Sequence, residues 1–299
     1  MKKHSLFMER IGYKHLILRL HTIGNYSKKD SEWNYSDIPH LNYVHTKVEG
    51  FSFYSDNERI VNLFMQRFGP FCVPVTNYIE HLKSDKHFYV MNILGMIVSV
   101  TTSHNEKSDL KALTITEYKF YYRSLIEKIF AFVIKFATKR NYKVLMSEDV
   151  PMRNQRGNLR NKGLSFLSDN QDKIGFYETE DLSINNVDGR DYFLSKGETN
   201  IDIKKQKETF RIKDLYLSFV KSEQEISILG DICQHEGANL DYKKNSDKSK
   251  CRAACPWHGK IISPLVVVNI NKNKLYQFSY LNQKFSAQVK GNIMKIKIT

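Results

Sequence analysis

Cysteine is scarce in this 299-residue chain, which has only Cys72, Cys233, Cys251 and Cys255. Four cysteines are too few for the disulfide framework of a small secreted domain. In a reducing compartment they are core, metal-bound or catalytic residues. No run of 18 apolar residues occurs, so no helical membrane span is expected. The opening residues, MKKHSLFMERIGYKHL, contain lysines but no apolar stretch long enough for a secretory signal, and the expected location is the cytoplasm. Internal repeats and low-complexity tracts are absent. So is any G-x-G-x-x-G, the fingerprint of a bound flavin or nicotinamide. Acidic residues are the scarcer charge, 32 against 46 Lys and Arg, for a net charge of +14. The lysines are spread along the chain without a helix-turn-helix or an aromatic–basic RNA signature, which argues against a nucleic-acid partner. They suit a solvated surface, or one that speeds docking of an acidic protein.

A globular core is affordable, with 41% of residues hydrophobic and 26% charged. YKHLILRLHTI reads as a strand, followed by a polar, aromatic-containing stretch from Asn25 to Tyr43 and a short strand in EGFSFYSD. ERIVNLFMQRFG places Ile60, Leu63, Phe64 and Phe68 at helical spacing. PVTNYIEHLK, HFYVMNILG, MIVSVTTS and KALTITEYKFYY are β-rich runs separated by turn residues, the pattern of an antiparallel meander. SLIEKIFAFVIKFATKR follows, a helical run whose Leu125, Ile129, Phe132, Ile134 and Phe136 suit a helix laid across a sheet. Strands followed by one long buried helix resemble a helix-grip (START-like) domain, a curved sheet around a helix with a ligand cavity between them. Tyr89, Met91, Ile93, Ile97 and Tyr118 are its candidate lining. The expected organisation is α+β: a helix-grip domain over 1–180, a polar linker over 181–205 and a small all-β domain over 206–299.

The β domain contains two Cys/His pairs, Cys233-x-His235 and Cys255-x-x-His258, with 19 residues between His235 and Cys255. Two thiolates and two imidazoles suit zinc or an iron–sulfur cluster. A Cys2His2 finger puts both cysteines in one pair, whereas here each pair mixes the two types. CQHEGA and CPWHG resemble the two loops of a Rieske domain, in which two cysteines hold one iron of a 2Fe–2S cluster and two histidines hold the other. Cys251, next to the lysine-rich KKNSDKSK, reads as a bystander, and Cys72 as a buried core residue.

A cluster of this kind moves single electrons and transforms no substrate by itself. SDIPHLNYVH contains Asp37-x-x-His40-x-x-x-x-His45, which resembles the iron-binding motif of the Rieske non-heme iron oxygenases (catalytic alpha-type subunit). LMSEDVPMRNQRGNLRNKG is similar to the stretch of that family in which an Asp ligand precedes Gln-Arg-Gly, which maps the third ligand onto Asp149 with Glu148 as its rival. The resemblance implies a mononuclear Fe(II) on His40, His45 and Asp149, with O2 as co-substrate. It assigns Asp37 to the link between that site and a cluster histidine. It also implies electrons from a ferredoxin or an NAD(P)H-dependent reductase, a small apolar or aromatic substrate, and a homo-oligomer, expected to be a trimer. Here the domain order is reversed relative to the family, and the catalytic part is short. The contrasting expectations are an electron-transfer or redox-sensing Rieske protein whose N-terminal domain only binds a ligand or partner, and a ligand-binding helix-grip module with a structural metal domain.

Overall fold

A computed structural model of the chain describes residues 2–38, 40–55, 59–68, 71–82, 86–108, 110–166, 197–213, 215–240, 253–281 and 283–299. Two compact units divide at Gly157/Asn158, and Leu159, Leu164 and Phe166 belong to the core of the second. Most of the 181–205 stretch expected as a linker lies outside the described residues, and its Glu198–Asp202 form a strand of the second unit.

The first unit opens with helix α1 (Lys2–Arg10) and strand β1 (Lys14–Gly24), then α2 (Lys28–Ser36) and the short α3 (Leu41–Val44). Six strands follow: β2 (Val48–Ser55), β3 (Arg59–Phe68), β4 (Phe71–Leu82), β5 (Lys86–Ile93), β6 (Met96–Ser108) and β7 (Lys111–Tyr122). The sheet order is β1-β7-β6-β5-β4-β3-β2, with every pairing antiparallel. Consecutive strands are neighbours, and β1 closes onto β7. Helix α4 (Leu125–Asn161) packs on this sheet through Ala131 and Ile134. This is the helix-grip arrangement, and with the all-β second unit the fold class is α+β.

Three local readings are corrected. ERIVNLFMQRFG is strand β3, not a helix. Its inner face alternates Ile60, Asn62 and Phe64, and the buried Asn62 hides the period of two from a hydrophobicity count. The apolar run of α4 is not buried as a whole. Ala131 and Ile134 face the sheet, while Leu125, Ile129, Phe132 and Phe136 are exposed. Cys72 is exposed, because β4 alternates faces and buries Val73 and Val75 on the other side. Cys251 and the KKNSDKSK stretch lie outside the described residues. The polar segment after β1 is helical, since Ser27 and Asp30 form a capping box at the start of α2.

The second unit contains β8 (Glu198–Asp202), β9 (Lys207–Ile212), β10 (Leu215–Lys221), β11 (Glu225–Gly230), β12 (Ala253–Ala254), β13 (Ile261–Ile262), β14 (Val266–Asn269), β15 (Tyr276–Tyr280), β16 (Gln283–Lys290) and β17 (Ile293–Ile298). Their sheets are β14-β11-β10-β9, β12-β13 and β15-β16-β17-β8. Phe219, Ile226, Ile228, Phe285, Met294 and Ile296 fill the core between the larger two.

Candidate metal centres

Two residues before Pro151, α4 presents Asp149 to the segment between α2 and β2. His40 precedes α3 and His45 follows it, so this one short helix sets the separation of the two rings. His40 Nε2 lies 3.2 Å from His45 Nε2. Asp149 Oδ1 lies 3.5 Å from the first and 3.2 Å from the second. All three residues are buried. The far nitrogens of the rings are held by acceptors. His40 Nδ1 meets the Asp37 backbone carbonyl, and His45 Nδ1 lies 2.8 Å from Glu148 Oε2. With Nδ1 donating in both rings, each Nε2 turns a lone pair toward the carboxylate, a donor set that fits a divalent cation. Glu148 thus stands behind His45, and it also accepts from the Thr46 hydroxyl at 2.9 Å. The Asp37 carboxylate is 3.6 Å from His40 Nδ1.

Burial lowers the His40 pKa, but hydrogen bonds to Asp149 and Asp37 and the charges of both outweigh it, raising the pKa to about 10. Burial raises Asp149, yet hydrogen bonds from His40 and His45 and the Arg153 charge hold it well below the usual carboxylate range. A raised histidine pKa stabilises the fold fully below the unfolded value of 6.5, and that stabilisation is lost as pH rises through the folded value. The metal-free protein is therefore expected to weaken by a few kcal/mol between pH 6.5 and about 10. Urea midpoints measured across that range, with and without a divalent cation, check this. The cation should flatten the alkaline loss.

Sequence reasoning missed the residues that fix α2. Arg156, inside the Gln-Arg-Gly motif, reaches Asp30 at 3.0 Å and lies 3.9 Å above the Trp33 ring. Arg153 donates to Asn34 Oδ1 at 2.8 Å and to Asp149 Oδ2 at 3.3 Å. A Cβ on Gly157 would stand 2.2 Å from the Asn25 carbonyl oxygen, so the close approach of α4 to the chain entering α2 requires glycine. On the sheet side, His104 meets Ser31 at 2.8 Å, His87 meets Ser36 at 3.1 Å, and the two rings share a 3.1 Å hydrogen bond. The signal of this clamp in the sequence is slight: His87 and His104 in β-rich runs, and Arg153 and Arg156 in the polar end of the helical run.

His40, His45 and Asp149 form part of the wall of a cavity of about 220 Å³ within the first unit. Tyr89, Met91, Ile93 and Tyr118 line it as expected. Ile97 does not. It pairs with Asn92, whereas the lining residues Tyr89, Met91 and Ile93 alternate with Asn92 on the opposite face of β5.

In the second unit the two Cys/His loops are copies of one turn. The Cys233 carbonyl accepts from Gly237 N at 2.7 Å, and the Cys255 carbonyl from Gly259 N at 2.7 Å. Both glycines have positive φ, +86° and +64°. The two thiols hydrogen-bond to each other, and the His235 and His258 rings lie 5.3 Å apart. Sulfur is thus gathered with sulfur and imidazole with imidazole, a donor set that fits a 2Fe–2S cluster with a different iron at each end. The Cys255 thiol donates to Cys233 and lowers its pKa. That same bond, burial and the neighbouring charge push Cys255 up. The Tyr280 hydroxyl accepts from Ile232 N at 2.8 Å and donates to its carbonyl at 3.1 Å, bracing the strand end before Cys233.

Residues 193–265 match the Rieske [2Fe-2S] domain family, and this part of the chain is a Rieske domain. Residues 266–299, outside the match, supply β14 to β17. No curated protein matches the chain. Among solved structures, the Zhui aromatase/cyclase from Streptomyces sp. R1128 is 6% identical, covering 48% of this chain and 96% of its own, with a TM-score of 0.44. A START superfamily protein from Mycobacterium smegmatis is 8% identical, covering 44% and 99%, with a TM-score of 0.35. Dicamba monooxygenase bound to dicamba is 12% identical, covering 50% and 52%, with a TM-score of 0.37.

Proposed function

We propose that the chain is a Rieske-type oxygenase, which uses O2 and externally supplied electrons to hydroxylate or otherwise oxidise a small organic molecule at a non-heme Fe(II) held by His40, His45 and Asp149. The observation that carries this reading is the convergence of two imidazole nitrogens and one carboxylate oxygen on a cavity wall, in a chain that also contains a Rieske domain. Three protein ligands on one face leave positions open, and Fe(II) in such a setting supplies the activation of O2.

The protein's own residues orient and exclude. Glu148 and the Asp37 carbonyl hold both histidines in the tautomer that ligation needs. Burial raises Tyr35, Tyr89 and Tyr118 well above the usual phenol value, so they remain neutral donors that bring no charge to an apolar ligand. Asn77 lines the same cavity, and its buried Oδ1 has no hydrogen-bond partner among the described residues, so it suits a ligand N–H or O–H. A cavity of roughly 150 Å³ holds benzene. The 220 Å³ here suits a substituted aromatic ring or an apolar molecule of similar size.

Cys233, His235, Cys255 and His258 would hold the cluster, which would supply single electrons delivered by a ferredoxin or an NAD(P)H-dependent reductase, and Asp37 is the residue that would link it to the iron site. The chain is expected to assemble as a head-to-tail homotrimer, in which heterologous contacts close into a ring. Iron analysis is expected to give about three irons per chain, two in the cluster and one mononuclear. A value of about two would leave a Rieske protein whose first unit only binds a ligand. Asp37→Asn is expected to keep both centres loaded and the cluster reducible, and to cut product formation by roughly 10- to 100-fold. Normal turnover by that variant would remove Asp37 from the route.

A further inference from the structure

The first three turns of α4 are apolar on nearly every side, yet among the described residues of these turns only Ala131 and Ile134 are buried. Leu125, Ile126, Ile129, Phe132, Val133 and Phe136 are between 55% and 81% exposed. At about 100° per residue these six fall within an arc of roughly 120°, opposite the buried pair. Lys128 and Lys135 flank one edge of the arc at the same spacing, and Lys139, Arg140 and Lys143 continue its line over the next two turns. Residues 123–143 contain six Lys and Arg and one acid, Glu127, a net of +5. A second basic amphipathic segment adjoins the start of the arc. Arg123 stacks 4.2 Å above Tyr13, just beyond α1, whose Leu6 and Phe7 are 62% and 57% exposed.

We infer that this face of α4 docks on an anionic membrane surface. An apolar arc this continuous requires cover. A second copy of the chain meeting it face to face would set a +5 rim against a +5 rim, whereas a leaflet carrying negative headgroups accepts both the arc and its rim. A helix of this pattern lies in the interfacial plane, its apolar side chains entering the acyl boundary while lysine and arginine stems reach back to the headgroups. Among the described residues no helix is long and apolar enough to cross a membrane, so the contact is peripheral. The next turns of the same helix, Thr138, Asn141, Tyr142 and Leu145, line the cavity. If the cavity is the substrate site proposed above, the substrate class this docking serves is an apolar small molecule dissolved in lipid.

Co-sedimentation of the whole, metal-loaded chain with vesicles tests this without any turnover, so its outcome is independent of the oxygenase assignment. Binding to phosphatidylcholine vesicles doped with phosphatidylserine is expected to exceed binding to phosphatidylcholine alone by roughly thirtyfold, with only two cations engaged, and to fall in high salt. Phe132→Ser/Phe136→Ser should weaken it by roughly a hundredfold with the thermal unfolding midpoint and the Rieske absorption retained. Because both changes place polar groups at exposed positions, a folding failure is not expected, and the salt dependence of the unchanged chain stands as a second measurement. Equal, negligible binding to both vesicle types overturns the inference. So does an oligomer in solution that the double variant converts to monomer, which would assign the face to a second copy.

Discussion

Asp149→Asn is expected to strip the mononuclear iron and bring product formation to background, while the Rieske absorption and EPR signals stay at full strength. Asp149 is the one anion among the three converging groups, and an amide supplies neither the charge nor a second lone-pair-rich oxygen for a hard divalent cation. Glu148→Gln should behave differently. Its carboxylate touches His45 Nδ1 and Thr46 rather than the converging nitrogens, so its loss loosens a ring and lowers iron affinity by roughly 10- to 100-fold, which excess iron restores. Arg153 complicates the first variant. It is fully buried and points at Asp149, and removing the carboxylate leaves its charge poorly compensated, at a cost of about 3–5 kcal/mol. The thermal midpoint of the first unit must therefore be followed alongside iron content. Loss of iron from Glu148→Gln beside retention by Asp149→Asn would move the third ligand by one residue.

Both donor clusters were legible in part because most of their residues are local in sequence. A Cys and a His within one turn, or two histidines flanking one short helix, keep their spacing wherever the turn is placed. Asp149, the third converging donor, is not local. It lies 104 positions beyond His45, and only a family resemblance placed it, between two candidates that α4 sends to different neighbours. The meander was legible from β-rich runs bounded by turns. β3 was not, since a sheet face that lines a cavity holds Asn62 and Asn77 where hydrophobic alternation would expect Val or Leu. The apolar run of α4 was read correctly as a helix but wrongly as buried. Periodicity reports where apolar groups lie around a helix, and an all-round apolar segment does not say which side the fold covers. The α2 clamp is made of long-range polar pairs, Asp30 with Arg156 and Ser31 with His104, and these leave no periodic trace. That α2 nevertheless sits immediately before Asp37 and His40 gives the clamp a role in placing the site, since the loop inherits its position from the helix.

Cys255→Ser is expected to abolish the Rieske signals and, with them, every turnover that depends on an outside electron donor, whereas Cys251→Ser should leave both unchanged. The Cys255 thiol is buried and hydrogen-bonds to Cys233, and a hydroxyl in its place is a poor ligand for an iron that needs thiolate. The opposite pattern would hand the ligand role to Cys251. The loops themselves supply a third comparison. Gly237 has φ +86°, where an L-residue costs roughly 1–2 kcal/mol. A Cβ there would also stand 2.5 Å from the Phe166 ring. Gly237→Ala should thus reduce cluster occupancy sharply through two separable causes. Adding Phe166→Ala removes the clash and leaves the backbone strain, so partial recovery of the absorption is expected in the double variant. Gly259 has φ +64° in the matching turn, so Gly259→Ala, with its own backbone strain, is the independent check that the turn and not the phenylalanine sets cluster retention. Full occupancy in both single glycine variants would show that the four side chains hold the cluster without help from the shape of the loops.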